Sequence, residues 1–89
     1  MPRNTDNDTQ RFYQYVLNTL SAADFNTLHD QLSLSKRMTT IRLQKPNLMD
    51  KNMIQKLAKI LNYDLVKLVH EYELGYDILT VREYNQLVN

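Results

Sequence analysis

Residues 21–69, SAADFNTLHDQLSLSKRMTTIRLQKPNLMDKNMIQKLAKILNYDLVKLV, decide the fold of this 89-residue chain. Their apolar residues recur three and four positions apart, which is the spacing of one face of an amphipathic helix. Four residues of the types that cap helix N-termini divide the pattern. They are Ser21, Ser35, Asp50 and Asp64. The segment therefore predicts four successive helices, the second of which runs from Lys36 to about Gln44 and ends before Pro46.

Helical spacing continues on both sides of this segment. Residues 1–8 are polar and are expected to form a flexible tail, and the apolar residues that follow predict one more helix. Those residues are Phe12, Tyr13, Val16, Leu17 and Leu20. At the other end, Gly75 is expected to end the last core helix. Thr80 and Glu83 then predict the start of a short helix within a C-terminal extension, residues 76–89.

The predicted fold class is all-α, a compact globule of five to six helices. No stretch alternates strictly between apolar and polar residues, and no internal repeat is present. Residues 9–75 are expected to form one five-helix domain, preceded by the tail and followed by the extension. A chain of 10.6 kDa has the length of a single domain.

Composition excludes most catalytic and metal chemistry. The chain has no cysteine, one glycine and two prolines, so it lacks a disulfide framework, a thiolate zinc site and a glycine-rich phosphate loop. Its two histidines, His29 and His70, lack the spacing of a metal motif, and the two side chains of His29 and Asp30 are expected to diverge on a helix. We expect no enzyme activity, no cofactor, no membrane segment and a cytoplasmic location.

Charge is distributed unevenly along the chain. Residues 36–67 carry eight lysines and arginines against two aspartates, a net charge of +6, whereas residues 1–35 carry −2 and residues 68–89 carry −3. A basic middle third between acidic flanks is typical of proteins that attract an anionic partner. Ordinary solvated helix faces would also contain many of these lysines.

Residues 21–45 carry the most specific signal. Two short helices joined by a tight turn, with a basic second helix, indicate a helix-turn-helix. The second helix, residues 35–45, would lie in the major groove of DNA. With Met38 and Ile41 taken as its buried side, an outward arc remains for DNA. That arc holds Lys36, Thr39, Thr40 and Leu43, flanked by Arg37 and Arg42.

The segment 21–69 resembles the λ-repressor-like (Cro/C1-type, XRE) helix-turn-helix family. The similar features are the apolar positions around the turn, the serine that opens the second helix, and the run LAKILN. They are Leu28, Leu32, Leu34, Ser35 and residues 57–62. The resemblance implies a DNA-binding transcriptional regulator, of a kind that often works as a dimer on paired half-sites.

Two departures from the family pattern affect the second helix. The family usually has glycine in the turn where this chain has Ser33, and a left-handed serine costs about 1 kcal/mol relative to glycine. Counted from Ser33, the family's buried positions fall on Thr39 and Arg42, one residue after the apolar Met38 and Ile41. Either the turn is one residue shorter or the second helix is rotated.

The sequence thus predicts a sequence-specific protein that binds double-stranded DNA. The expected contacts are Lys36, Arg37, Thr39, Thr40, Arg42 and Lys45. The alternative is a helical protein-interaction module on the same scaffold that does not bind DNA. A homodimer is expected through the apolar residues of the C-terminal extension, and Tyr15 and Tyr76 are further candidates for contact with a partner.

Overall fold

The computed structural model describes the backbone of residues 5–88 and the side chains of residues 10–88. Within that range the chain is helical and has no strand, which confirms the all-α class. The helices are α1 (Thr5–Thr19), α2 (Ala22–Gln31), α3 (Lys36–Gln44), α4 (Lys51–Leu61), α5 (Leu65–Tyr72) and α6 (Val81–Val88), with one turn of 3₁₀ helix at Pro46–Leu48.

Side-chain caps fix the starts of five helices. Ser21, Ser35, Asp50 and Asp64 each accept a hydrogen bond from the backbone N–H three residues later, at 2.8–3.1 Å. Thr80 caps α6 reciprocally, because Glu83 N–H donates to its hydroxyl while the Glu83 carboxylate accepts from its backbone N–H, both at 3.1 Å. These hydrogen bonds confirm the helix starts that the sequence predicted. Each cap contributes about 1 kcal/mol to stability.

One apolar core joins all six helices. It is built from Phe12, Val16, Leu28, Leu32, Leu43, Met49, Met53, Ile54, Leu57, Ala58, Leu61, Leu68, Val69, Leu74 and Leu87. The radius of gyration of 12.7 Å is close to the ~12 Å expected for a compact chain of this length. Among residues 5–88, no helix combines the length and the apolar character that a membrane crossing requires.

The first helix begins earlier than the sequence predicted. It starts at Thr5, inside the segment expected to be a tail, whereas residues 1–4 lie outside the described part of the chain. Adding a residue to an existing helix orders only that residue and gains one hydrogen bond. Because packing holds the later turns of α1, the helix can therefore extend toward the N-terminus beyond its apolar stripe. Leu17, expected in that stripe, is instead exposed.

The end of α5 also differs from the expectation. The helix stops at Tyr72, and Glu73 rather than Gly75 is its left-handed cap, with φ of 55°. Gly75 is a second left-handed residue with φ of 74°, two positions further on. The chain therefore turns twice between α5 and α6.

Backbone hydrogen bonds hold this double turn against the segment that follows α3. Gly75 N–H donates to the Pro46 carbonyl at 2.9 Å, and Asp77 N–H donates to the Asn47 carbonyl at 3.0 Å. The Asn47 amide also donates to the Asp77 carboxylate. The position of α6 is therefore set by contacts with residues about thirty positions earlier in the chain.

Candidate functional site

The connection between α2 and α3 is a helix-ending turn stabilised by its own backbone. Ser33 N–H donates to the Asp30 carbonyl at 3.1 Å, and Leu34 N–H donates to the His29 carbonyl at 2.9 Å. This is the Schellman pattern, which requires a left-handed residue just after the helix. Ser33 occupies that position with φ of 58°, and Ser35 then opens α3.

The face that α3 buries is the reverse of the expected one. Thr39 is 5% exposed and Leu43 is fully buried, while Met38 and Ile41 are only half-buried. Because α3 packs mainly against α1, this orientation is set by the fit between the two helices rather than by the most apolar pair of side chains. The prediction that Thr39 and Leu43 face outward is wrong. Ser33 is the left-handed residue of the turn and Thr39 is buried, as the count from Ser33 placed them, so neither a shorter turn nor a rotated second helix is needed.

Three of the six predicted contact residues are exposed on or beside α3. They are the cations Lys36, Arg37 and Lys45, whereas Thr40 and Arg42 are half-buried. Thr39 is buried and is removed from the outward set. Among the side chains of residues 10–88, no carboxylate lies within 4.0 Å of the nitrogens of these three cations or of Arg42. Their charges are therefore not neutralised by ion pairs within the described part of the chain.

The N-terminal turn of α3 has an unfavourable charge arrangement. Lys36 and Arg37 are its first two residues, and this turn contains no acidic residue. By contrast, Asp24 lies in the first turn of α2 and Glu83 in that of α6. A helix N-terminus carries a partial positive charge, so each cation placed there costs about 0.3–1 kcal/mol where an anion would stabilise.

Thr39 adds a polar group to the interior. Its hydroxyl oxygen is inaccessible and has no hydrogen-bond partner among the described residues. The neighbouring Thr40 differs, because its hydroxyl donates to the Lys36 carbonyl at 3.1 Å. An unsatisfied buried hydroxyl costs about 1–3 kcal/mol. Thr39 also lines a cleft of about 110 Å³ between α2 and α3, together with Phe25, Asn26, His29, Lys36 and Thr40.

The two histidines make different contacts on the surface of the fold. Among the described residues, no group of three or more histidine, aspartate or glutamate side chains is placed to hold a metal ion. His29 Nδ1 does approach the Asp30 carboxylate at 3.3 Å, so the expected divergence of these neighbours is wrong. His70 Nδ1 lies 3.2 Å from the Tyr84 hydroxyl and so helps to attach α6 to α5.

Aromatic residues form a cluster between α1 and α5. The Tyr15 ring stacks on that of Tyr72 with centroids 5.4 Å apart, and the Arg11 guanidinium lies 5.0 Å from the Tyr72 ring centroid. Burial raises the pKa of the Tyr72 phenol, and the charge of Glu71 adds to the effect. Tyr15 therefore packs within the fold, on the edge of the core.

A second surface, at the C-terminal end, is apolar and open. Tyr76, Ile78 and Val81 are 46%, 49% and 78% exposed. The Tyr76 ring packs edge-on against Tyr84, with centroids 5.9 Å apart. Partial burial and a hydrogen bond with Tyr84 raise the pKa of the Tyr76 phenol. We call these three residues the C-terminal apolar surface.

Comparison with protein-family models, with curated proteins and with solved structures gives no match to this chain. The geometry of α2, its turn and α3 is therefore the basis for assigning a function.

Proposed function

We propose that this chain is a sequence-specific protein that binds double-stranded DNA and regulates transcription, with α2 and α3 acting as a helix-turn-helix and α3 lying in the major groove. The proposal includes the cytoplasmic location expected from the sequence. Its contact residues are Lys36, Arg37, Thr40, Arg42 and Lys45, without the buried Thr39.

The observation that carries the proposal is a concentration of local costs around α3. Ser33 is left-handed, Thr39 buries a hydroxyl that has no hydrogen-bond partner among the described residues, and two cations occupy the first turn of the helix. Folded proteins retain such costs mainly at functional sites. A DNA phosphate near Lys36 and Arg37 would supply the negative charge that this helix end lacks.

The dimensions of α3 suit the groove. A helix with its side chains is about 10–12 Å across, which matches a groove about 12 Å wide, and the nine residues of α3 give it a length of about 13 Å along the groove. Exposed Arg37 lies near its start and exposed Lys45 at its end. Cations at both ends of the helix can contact phosphates on either side of the groove, while the residues between them face base edges.

Titration of a fluorescein-labelled random-sequence duplex, followed by anisotropy at 50, 100 and 200 mM salt, tests the proposal. We expect a micromolar Kd that weakens as salt increases, because log K falls by about 0.9 per neutralised phosphate for each log unit of salt. Contacts from four cations would give a slope of about −3 to −4. Absence of binding at 50 mM salt would contradict the proposal.

Paired charge reversals test whether α3 is the helix that binds. The variant Arg37→Glu/Lys45→Glu should lower affinity at least about tenfold and reduce the salt slope by about two. The control Lys56→Glu/Lys59→Glu makes the same charge change with exposed residues of α4 and should have the smaller effect. Equal losses in both variants would show general attraction between the protein and DNA rather than docking of α3. Circular dichroism checks that both variants keep their helices.

The C-terminal apolar surface favours a second copy of the chain as a partner. Two copies of one DNA-binding domain can recognise paired half-sites. Contact of this surface with its symmetry mate would cover Tyr76, Ile78 and Val81 together. Light scattering at high micromolar concentration should give twice 10.6 kDa, and Val81→Asp should restore 10.6 kDa. A mass of 10.6 kDa for the unmodified protein would contradict the proposed dimer.

The protein-interaction module without DNA binding is the competing function. The exposed side chains of Tyr76, Ile78 and Val81 support it, since exposed apolar surface is typical of contact sites in proteins. It predicts that the anisotropy titration shows no salt-dependent binding while the C-terminal apolar surface still mediates association.

A further inference from the structure

Ile41 is an apolar side chain on the outward side of α3. Thr39 and Leu43 precede and follow it by two residues, so each lies about 160° from it around the helix axis. Both are buried against the rest of the fold, which places Ile41 nearly opposite the core. Ile41 is half-buried, and it is not among the described side chains that pack against the core.

The surroundings of Ile41 are cationic. Arg37 lies one helical turn earlier on the same face, and Lys45 follows at the helix end. Neither has a carboxylate within 4.0 Å among the described side chains. On this helix face an apolar side chain lies between two cations. Such a face is complementary to a partner that has an apolar group between two rows of negatively charged groups.

The major groove of DNA has that pattern. Phosphates line both edges, and the thymine C5-methyl is the apolar group among the base edges. We propose that Ile41 recognises a thymine methyl group and is a specificity-determining residue of α3, an inference that rests on the proposed DNA-binding function. Leu43, the residue of α3 that the sequence indicated for such a contact, is buried and does not make it.

Replacing thymine by deoxyuridine removes this methyl group and changes no hydrogen-bonding edge. A preferred duplex is first selected from a library of random duplexes, and its thymines are then replaced one at a time. We expect one replacement to weaken binding of the unmodified protein about fourfold, the effect of losing one buried methyl group. The same replacement should leave the affinity of Ile41→Ala unchanged, since the contact is already absent.

Two further variants separate this contact from a loss of folding. Ile41→Val shortens the side chain by one carbon and should give an intermediate response to the replacement. Val66→Ala makes a similar truncation at an exposed position of α5 and should respond to deoxyuridine as the unmodified protein does. Thermal unfolding of each variant establishes that the protein titrated is folded.

The outcomes distinguish the inference from the proposed function. If the selected duplex binds but every replacement affects the unmodified protein and Ile41→Ala equally, the role of Ile41 is overturned and DNA binding stands. If no duplex is enriched and none binds at 50 mM salt, the DNA-binding function itself fails. A thymine effect that is lost specifically in Ile41→Ala supports both.

Discussion

Two of the left-handed residues in the described part of the chain, Ser33 and Gly75, turn the backbone in different surroundings. Ser33 is exposed and its turn is bonded within residues 29–34. Gly75 is buried, and its turn is bonded to Pro46 and Asn47. A Cβ at position 75 would lie 2.7 Å from Leu79 Cγ and 2.9 Å from Ile54 Cδ1. An exposed turn tolerates a side chain at a moderate cost, whereas a turn packed into the core requires glycine.

The difference also separates two roles. The turn at Ser33 sets the direction of α3, whose cations have no ion pair among the described side chains, and it depends on a few local hydrogen bonds. The turn at Gly75 sets the position of α6 and the C-terminal apolar surface through contacts distant in sequence. We therefore expect changes at Gly75 to disturb the whole fold and changes near Ser33 to have limited effects on stability.

The largest expected effect is that of Gly75→Ala. The new Cβ meets the core side chain of Ile54 and the partly buried side chain of Leu79, and alanine at φ of 74° is itself strained. The free energy of unfolding should fall by about 2–4 kcal/mol, measured by urea denaturation. Ser33→Ala is the matched control, because Ser33 is exposed and already carries a Cβ at positive φ. A loss below 1 kcal/mol for Gly75→Ala would mean that the turn is not packed as described.

Thr39→Val should have an effect of intermediate size and should stabilise the protein, whereas Gly75→Ala destabilises it. Valine keeps the shape of threonine and removes the buried hydroxyl that lacks a partner, so the free energy of unfolding should rise by about 1 kcal/mol. Thr40→Val is the comparison, since it removes a hydroxyl that donates to Lys36 and should give no gain. If both variants behave alike in urea denaturation, the burial of the Thr39 hydroxyl against the core is wrong.

The smallest expected effect is that of Ser33→Gly. Glycine removes the strain of a left-handed serine, and part of that gain is offset by the greater freedom of glycine in the unfolded chain. We expect the free energy of unfolding to rise by about 0.5 kcal/mol, detectable as a higher midpoint of urea denaturation at unchanged slope. Ser35→Gly, at the cap of α3, should instead leave stability unchanged or slightly lower. A decrease for Ser33→Gly would exclude strain at this position.

Element positions followed from the sequence because their signals are local. The caps at Ser35 and Asp50 act on N–H groups three residues away, and Pro46 limits α3 from two positions beyond its last residue. The basic character of α3 was equally visible. The role of Gly75 was anticipated only as a helix end, because the side chains of Ile54 and Leu79 that close over it are not adjacent in sequence.

The sequence identified α3 as the helix of the candidate site, but it did not identify which face of α3 is exposed. A pattern of apolar residues identifies the buried side of a helix when one stripe is clearly the most apolar. In α3 the two sides are nearly balanced, with Met38 and Ile41 on one and Thr39 and Leu43 on the other. The sequence therefore placed Thr39 among the DNA contacts and omitted Ile41.

By itself, the sequence determined the helical class, the caps and turns, and the concentration of positive charge around α3, because each depends on residues close together along the chain. The tertiary structure decided which face of α3 is buried, why position 75 requires glycine, and how α6 is positioned. These features depend on shape matching between segments far apart in the sequence, such as α3 with α1 and Gly75 with Pro46. Such packing is a property of the assembled core and is absent from local periodicity.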